Sequence, residues 1–367
     1  MEMPETIFEK IDGGGELSIG EIAFLLGMEE KAGMEILFKK AYAVKLKNVG
    51  SKVYLRGLIE LSNICEKNCY YCGIRKSNTL NKRYMMTEEE ILKAAIWAYE
   101  NRYGSIVLQS GERTDEAFIN FIENIIRDIK KASSGKLGIT LCLGEQEEET
   151  YRRWFNAGAH RYLLRIETSN RELYGKLHPA DHSFDKRLKC LELIKKAGYQ
   201  IGTGVMTGLP FQTLENLAED ILFFKKMDID MIGMGPYIPH KDTPLAVEPF
   251  YPDFNKQYAL ELGLKMIAVT RIVLKDVNIA ATTALQALND KGREMGLMAG
   301  ANVIMPNITD TKYRAAYQLY QNKPCLDENA SLCRECIKKR IEDAGESIGY
   351  DEWGDSPHFR SRRNEKN

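Results

Sequence analysis

Cys65-Glu66-Lys67-Asn68-Cys69-Tyr70-Tyr71-Cys72 follows an apolar run, Leu55 to Ile64, that reads as a strand. Its three cysteines are spaced C-x3-C-x2-C. Three thiolates can hold three irons of a [4Fe–4S] cube and leave the fourth iron open. A cube with four protein ligands serves electron transfer; a cube with an open corner serves to bind something. Tyr71, just before the last cysteine, brings an aromatic ring beside the cluster or its ligand. Two plainer readings compete: a zinc site and three unrelated buried thiols. Zinc takes four N/S ligands, commonly in paired C-x2-C spacing, and the fourth ligand is missing here.

On a loop after a strand, this spacing resembles the radical S-adenosylmethionine (radical SAM) superfamily. The resemblance implies that the open iron takes the amino and carboxylate groups of S-adenosylmethionine. It further implies that an electron from the cluster breaks the C–S bond to give a 5′-deoxyadenosyl radical.

The whole chain bounds the class. It has 367 residues, a formal charge of −1, 28% charged and 9% aromatic residues, enough for one large α/β domain or two smaller ones. Near-zero net charge gives no electrostatic case for nucleic acid or a membrane surface as partner. No apolar run reaches the roughly 18 residues of a membrane-spanning helix, and Met1 to Lys10 lacks the apolar core of a secretory signal. Six of the eight cysteines fall in two tight clusters, which speaks against an extracellular disulfide framework. The expectation is a cytoplasmic protein of an anaerobic cell, because an exposed iron is oxygen-sensitive.

Residues 1–51 read as a helical lead-in, broken at Gly13-Gly14-Gly15, with Ile22, Leu25, Leu26, Met34, Leu37 and Ala41 at helical intervals. Residues 52–321 alternate strand-like runs with amphipathic helices. The strands are expected at 53–63, 105–110, 138–143, 161–167, 201–207, 230–236, 278–284 and 301–306. Helices are expected from the capping box at Thr87-Glu88-Glu89-Glu90 and near 115–132, 146–157, 184–197, 213–227, 254–275 and 312–321. Eight strand–helix units predict an α/β fold of the (β/α)8 barrel type, whose functional side chains gather at the C-terminal strand ends. Those ends carry Asn63, Gln109-Ser110-Gly111-Glu112, Glu145, Arg165, Glu167, Thr207-Gly208, Pro236-Tyr237, Thr282-Thr283 and Asn307. Residues 322–367 read as a C-terminal extension bearing Cys325, Cys333 and Cys336 (C-x7-C-x2-C), with Ser356 to Asn367 as a frayed polar tail.

Arg165 and Glu167 alternate on a strand and so share a face. Facing inward, the Glu can accept from a ribose hydroxyl or an ammonium and the Arg can hold a carboxylate or another anion; the competing reading is an ion pair between the two. Arg187 is a candidate for the carboxylate of S-adenosylmethionine, or a surface arginine. Gly202 to Pro210 is glycine-rich and includes Met206. It marks a close approach, plausible for adenine or ribose, and lacks the Gly-Lys-Ser/Thr of a phosphate loop. The five histidines show no ligand spacing, and solitary Cys142 and Cys190 read as packing.

With these pieces in order the chain resembles the [FeFe]-hydrogenase maturase HydE family, related to biotin synthase and methylornithine synthase. The matching stretches are Arg56 to Cys65, Cys69 to Arg75, Ile106 to Glu112, Arg161 to Arg165, Gly233 to His240 and Ala301 to Asn307. The resemblance implies that the loop Gln109–Glu112 meets the methionine amino group. Tyr71, Glu145, Arg165, Glu167, Arg187 and Met206 are expected around S-adenosylmethionine. Arg56, Thr140, Arg165, Met231, Thr282, Thr283, Met305 and Tyr313 are expected to line the reaction cavity. Cys325, Cys333 and Cys336 resemble an accessory iron–sulfur site, [2Fe–2S] or [4Fe–4S], found in part of the family. The implied activity is assembly of the dithiomethylamine bridge of the hydrogenase H-cluster. Its substrate is an iron–cysteine complex carrying CO and cyanide from a companion radical SAM maturase. The product passes to a scaffold GTPase, and a ferredoxin or flavodoxin supplies electrons. Sulfur insertion of the biotin synthase kind is disfavoured because strands three and five offer Thr140 and Gly202 rather than inward cysteines. A methylornithine synthase-like mutase acting on lysine and an iron–sulfur carrier or scaffold are the alternatives.

Overall fold

A computed structural model of the chain describes residues 3–246, 254–327 and 329–364. Its strands are β1 (Lys52–Ser62), β2 (Ser105–Ser110), β3 (Gly138–Cys142), β4 (Arg161–Leu163), β5 (Gln200–Thr203), β6 (Met206–Thr207), β7 (Met231–Ile232), β8 (Gly235–Pro236), β9 (Asn278–Ile279), β10 (Val303–Ile304) and β11 (Ser347–Ile348). Parallel neighbours run β10-β1-β2-β3-β4-β5-β7-β9. A parallel bridge between Ala280 and Val303 joins the two ends of that path. Asn302 N–H donates to Ile279 O and Ala281 N–H to Val303 O, both at 2.9 Å. The result is the expected eight-membered ring, with helices outside it.

Alternation along the strands builds both layers. Val53, Leu55, Ile59 and Leu61 of β1, Ile106 and Leu108 of β2, and Ile139 and Leu141 of β3 are buried in the main apolar core. The helix Glu116–Ala132 meets that core with Phe118, Ile122, Ile125, Ile126 and Ile129. Each such side chain contributes about 1.5–3 kcal/mol relative to exposure. Asp115 starts this helix by accepting from Phe118 N–H at 3.0 Å, and Thr87 and Glu90 form the expected capping box. Among the described residues no helix is long and apolar enough to cross a membrane.

Several expected elements are shorter or divided. The fourth strand ends at Leu163 rather than 167, and Glu167 takes φ +65°. The fifth and sixth strands each break and resume as the β6–β8 pair. The break lies where Gly204 packs on the Gly233 backbone so closely that a Cβ has no room. After β9 the chain turns into the helix Thr283–Leu288, so Thr282 is a helix N-cap and Thr283 is helical, not on a strand. The expected helix at 312–321 is only Thr311–Arg314.

The largest correction concerns the C-terminus. Residues 365–367 lie outside the described residues, but 356–364 are not frayed. β11 pairs with Lys52 and Val53 at the start of β1, and residues 353–356 close the N-terminal end of the barrel. Gly354 O accepts from Asn278 Nδ2 at 2.8 Å and from Arg56 Nη2 at 3.3 Å. Asp355 meets Arg161 Nη2 at 2.5 Å and Gln200 Nε2 at 3.0 Å. Gly354 has φ +65°, and a Cβ there would lie 2.7 Å from Tyr54 Cβ, so glycine is required. The helix Pro357–Asn364 follows, where His358 sits 2.6 Å from Asp228 and 3.2 Å from Asp276 and Arg362 reaches Asp228 and Asp230 at 2.7 Å each. Polar composition hid this role because the partners are acids far away in sequence.

Hydrogen bonding to Asp276, against the opposing effect of burial and with help from Asp228, raises His358 from 6.5 to about 9. A raised histidine contributes its stability in full below 6.5 and loses it as pH rises through about 9. His358→Gln should therefore destabilise the protein by about 2 kcal/mol at pH 6, the scale of a hydrogen bond to a charged group. The cost should become small above pH 9. Thermal melts of both proteins across this range are the check.

Candidate functional site

The cysteine loop leaves the C-terminal end of β1 and is held from four sides. Glu66 N–H donates to Glu112 O at 2.8 Å, Tyr70 N–H to Leu177 O at 3.0 Å, Gly73 N–H to Leu319 O at 3.0 Å and Lys76 N–H to Lys67 O at 2.8 Å. Arg83 clamps the following turn, donating to the carbonyls of Asn63, Ile74, Arg75 and Asn78 at 2.5–3.2 Å. Gly111 must be small, because a Cβ there would meet Ile64 O and lie 2.7 Å from Cys65 Cβ. Tyr70, Tyr71 and Met206 pack on an apolar cluster of Leu173, Leu177, Leu209, Tyr237 and Leu245. Met206 thus packs on the same cluster as Tyr70 and Tyr71.

Burial pushes all three thiols up: Cys65 moderately, Cys69 to about 12, and Cys72 far. Thiolates, the ligating form, need compensating positive charge at this place. Some is provided already: Glu112 N–H points at Cys65 Sγ at 3.3 Å, and Arg187 acts on Cys69. Three half-buried thiols on one tightly held loop, with a donor aimed at sulfur, suit an iron–sulfur cube in which iron supplies the remaining charge. Among the described residues no three His, Cys, Asp or Glu side chains converge as ligands of a single ion.

Half-buried Lys67 and the buried charges of Glu112, Glu145 and Arg187 tie the loop to the ends of β2 and β3 and to the helix Phe184–Lys196. Lys67 bridges Glu112 at 3.2 Å and Glu145 at 3.0 Å, and Arg187 Nε donates to Glu145 at 2.7 Å. Glu145 N–H donates to Glu112 Oε2 at 2.9 Å. Burial raises Glu112, whereas Arg187 and Lys67 outweigh burial at Glu145 and lower it. Burial opposes the charge on Arg187 too, but the two acids hold it well above its ordinary value. Glu112 and Glu145 are thus engaged with the protein. Gln109 is also tied inward, donating to Tyr317 OH at 3.2 Å, while Ser110 donates to Gly111 O at 2.5 Å.

Of the two readings for Arg165 and Glu167, the structure has the ion pair. Nε and Nη2 of Arg165 meet the two carboxylate oxygens at 2.9 and 3.0 Å. Its remaining donors go to Val205 O at 2.8 Å and Gly233 O. Arg165 O in turn accepts from Arg187 Nη1 at 3.1 Å.

Below this level lies a small cavity of about 20 Å3 lined by Arg56, Thr140, Leu163, Met231, Asn278 and Met305, among others. Arg56 is not at the mouth beside Arg165: it pairs in register with Ser105, the first residue of β2, and donates to Met231 Sδ at 3.0 Å. Burial and the neighbouring Arg161 lower it well below its ordinary value, partly offset by Asp355. Arg56 Nε, Arg161 Nε and Nη1, Thr140 Oγ1 and Thr282 Oγ1 are buried without a hydrogen-bond partner. Thr283 Oγ1 accepts from Arg293 at 3.1 Å. Tyr313 faces elsewhere: it stacks on Tyr84 at 4.6 Å and donates to Glu90 at 2.9 Å.

The second cysteine set stands apart, on and before the helix Ala330–Asp343. Cys333 is buried, Cys325 half-buried and Cys336 exposed. Cys325 and Cys333 are within hydrogen-bonding reach of each other, and Arg340 Nε donates to Cys336 Sγ at 3.2 Å.

Sequence reasoning missed four residues that hold the loop: Lys67, Arg83, His178 and His182. Lys67 lies inside the motif and was readable there. The two histidines are four residues apart, and only the fold shows that both turn toward the loop. His178 Nε2 stands 3.1 Å from Tyr71 OH, and His182 Nε2 accepts from Asn68 N–H at 2.9 Å.

Residues 59–224 match the family described as the Radical SAM superfamily. The crystal structure of methylornithine synthase superposes with a TM-score of 0.79 at 24% identity, covering 94% of this chain and 98% of that one, a likeness of fold. The 3-methylornithine synthase of Methanosarcina acetivorans is 28% identical over 301 residues, 81% of each chain. The [FeFe] hydrogenase maturase subunit HydE of Thermotoga maritima is 48% identical over 330 residues, 90% of this chain and 91% of that one. At that identity over that length, the chain belongs to the HydE family of [FeFe] hydrogenase maturases, within the radical SAM superfamily.

Proposed function

We propose that this radical SAM enzyme assembles the dithiomethylamine bridge of the hydrogenase H-cluster, with the adenosyl radical acting on a sulfur of an iron–cysteine complex that carries CO and cyanide. Membership of the superfamily implies a [4Fe–4S] cluster and S-adenosylmethionine. When bound, the cluster supplies the electron that cleaves S-adenosylmethionine to a 5′-deoxyadenosyl radical. Cys65, Cys69 and Cys72 hold the cluster in this reading. Arg187, fixed by Glu145, takes the methionine carboxylate. The backbone of Gln109 to Gly111 meets the amino group, and Tyr71 and Met206 flank the ligand.

One observation supports the substrate reading above others: the charge of the barrel interior. Arg56 and Arg161 are buried there, and Asp355 is the carboxylate beside them. Unpartnered donors on both arginines, with the hydroxyls of Thr140 and Thr282, suit an anionic complex rich in acceptors. A mutase acting on free lysine has to bring an ammonium toward two arginines, so the same observation disfavours the methylornithine synthase-like alternative. Met231 and Met305 add soft, apolar wall. The companion maturase that supplies the complex, the scaffold GTPase that accepts the product, and a ferredoxin or flavodoxin as reductant complete the scheme. An accessory cluster at Cys325, Cys333 and Cys336 belongs to it as a peripheral site.

Reconstituted protein treated with dithionite should convert S-adenosylmethionine to 5′-deoxyadenosine and methionine; an intact cluster with neither product overturns the reading. Changing any one of Cys65, Cys69 or Cys72 to Ala should abolish cleavage. The triple variant Cys325→Ala, Cys333→Ala, Cys336→Ala should lose iron yet keep both cleavage and hydrogenase maturation. Iron analysis and maturation yield on the two sets separate the roles.

Gly111→Val pushes a side chain into Ile64 O and the Cys65 side chain. It should lower iron uptake and S-adenosylmethionine cleavage together, measured by iron content and product yield.

Arg56→Met should reduce maturation by about ten- to a hundredfold, the loss expected for one charge-assisted interaction of about 1.5–3 kcal/mol. Binding of S-adenosylmethionine, followed by calorimetry, should be unchanged. Wild-type maturation by this variant means that Arg56 only supports the barrel floor.

A further inference from the structure

Tyr71 stands between Cys69 and Cys72 in sequence, and its hydroxyl stands between two acceptors in space. One is His178 Nε2, at 3.1 Å. The other is the Cys69 sulfur, within hydrogen-bonding reach of the phenol. A phenol has a single proton and can give it to one of them.

The choice is made behind His178. Its Nδ1 lies 2.9 Å from Tyr174 O. A carbonyl oxygen only accepts, so Nδ1 carries the ring proton. The imidazole is sandwiched, stacked on Tyr174 at 4.0 Å and edge-on to Tyr71 at 5.4 Å, and burial depresses it to about 3, keeping it neutral. Nε2 therefore offers a lone pair, and Tyr71 donates to it. The segment that carries His178 is pinned a second time. His182 Nδ1 is bonded to Asp181 at 2.8 Å, and its Nε2 takes the Asn68 N–H. Tyr70 N–H on Leu177 O makes a third tie. The direction of the phenol is thus set by a rigid partner, not by the cysteine loop itself.

We propose that His178 is a positioning residue that holds the Tyr71 hydroxyl away from the Cys69 sulfur and so keeps the cluster at a low reduction potential. Hydrogen bonds to cluster sulfurs are among the determinants of potential. A donor on a thiolate stabilises the negative charge added on reduction and makes the cluster a weaker reductant. Cleaving a sulfonium with one electron calls for a strong one. The inference rests on the assignment of Cys65, Cys69 and Cys72 to the cluster.

The test is a redox titration of the reconstituted holoprotein followed by electron paramagnetic resonance. It compares wild type, His178→Phe, Tyr71→Phe and the double variant. His178→Phe keeps a ring between Tyr174 and Tyr71 but removes the acceptor, so the midpoint potential should shift upward. Tyr71→Phe alone should leave the potential near that of wild type, because the hydroxyl is not on the sulfur to begin with. The double variant should titrate like Tyr71→Phe, since without the hydroxyl His178 has nothing to direct. His178→Gln, which retains an acceptor, should recover part of the shift. An unshifted potential in His178→Phe with full iron content, or a shift that persists in the double variant, overturns the proposal. Should His178→Phe fail to hold its cluster, Tyr71→Phe decides: a lowered potential there means the phenol was donating to sulfur all along, and the proposal fails. No reduced-cluster signal in wild type overturns the site assignment itself, a separate result.

Discussion

The architecture of the cluster end depends on one quartet of charges, half-buried Lys67 with buried Glu112, Glu145 and Arg187. Taking four charges out of water is costly, and such a group persists only where each charge is met in good geometry. Here each one is. Lys67 touches both acids, Arg187 is 2.7 Å from Glu145, and Glu112 accepts the Glu145 backbone N–H. Removing Arg187 takes from buried Glu145 its 2.7 Å partner, a loss of about 3–5 kcal/mol. The quartet also does what apolar packing cannot. It joins the cysteine loop after β1, the turn after β2, the turn after β3 and the helix Phe184–Lys196 at fixed directions. The Cys65 sulfur, bonded by Glu112 N–H, inherits its position from that joint.

The opposite end of the barrel follows a different electrostatic logic. At the mouth, Arg165 is matched by Glu167 and Arg187 by Glu145. Toward the floor, Arg56 and Arg161 face Asp355, which comes from the C-terminal segment and not from a barrel strand. His160 and Arg161 hold that carboxyl far below its usual range, although burial opposes them. The closing segment therefore completes the charge balance of the interior as well as covering it, and it leaves Arg56 Nε and Arg161 Nε and Nη1 without a hydrogen-bond partner.

These features explain what could be read from the sequence. The ring of strands was legible because each strand shows its outward apolar face, Ile106 and Leu108 or Ile139 and Leu141, against a helix with a strong 3.6-residue pattern. The cysteine motif was legible because its ligands are contiguous. The pairing of Arg165 with Glu167 was legible only as one of two readings. Choosing between them needed the φ of +65° at Glu167 and the carbonyls of Val205 and Gly233, which lie in the breaks of the fifth and sixth strands. Tyr313 was misassigned because one short helix, Thr311–Arg314, turns it toward Tyr84 and Glu90. The C-terminal segment was misread because its apolar content is small. Its stability is carried by His358, Arg362 and Asp355, whose partners are 82 to 194 residues away.

The same distant packing decides what stands on β5 where an inward cysteine could be. A cysteine on β5 facing inward would stand at Gly202. A Cβ built there lies 2.8 Å from Met231 Cε and 2.9 Å from Leu163 Cδ1. Met231 thus occupies the place that a ligand at 202 would need, and its sulfur accepts from Arg56 instead. Glycine at 202 and methionine at 231 are a matched pair: the first withdraws a side chain so that the second can reach across the barrel to the arginine. A side chain added at 202 would push aside the ends of Met231 and Leu163 and so disturb the Met231 sulfur that accepts from Arg56, which couples the two positions.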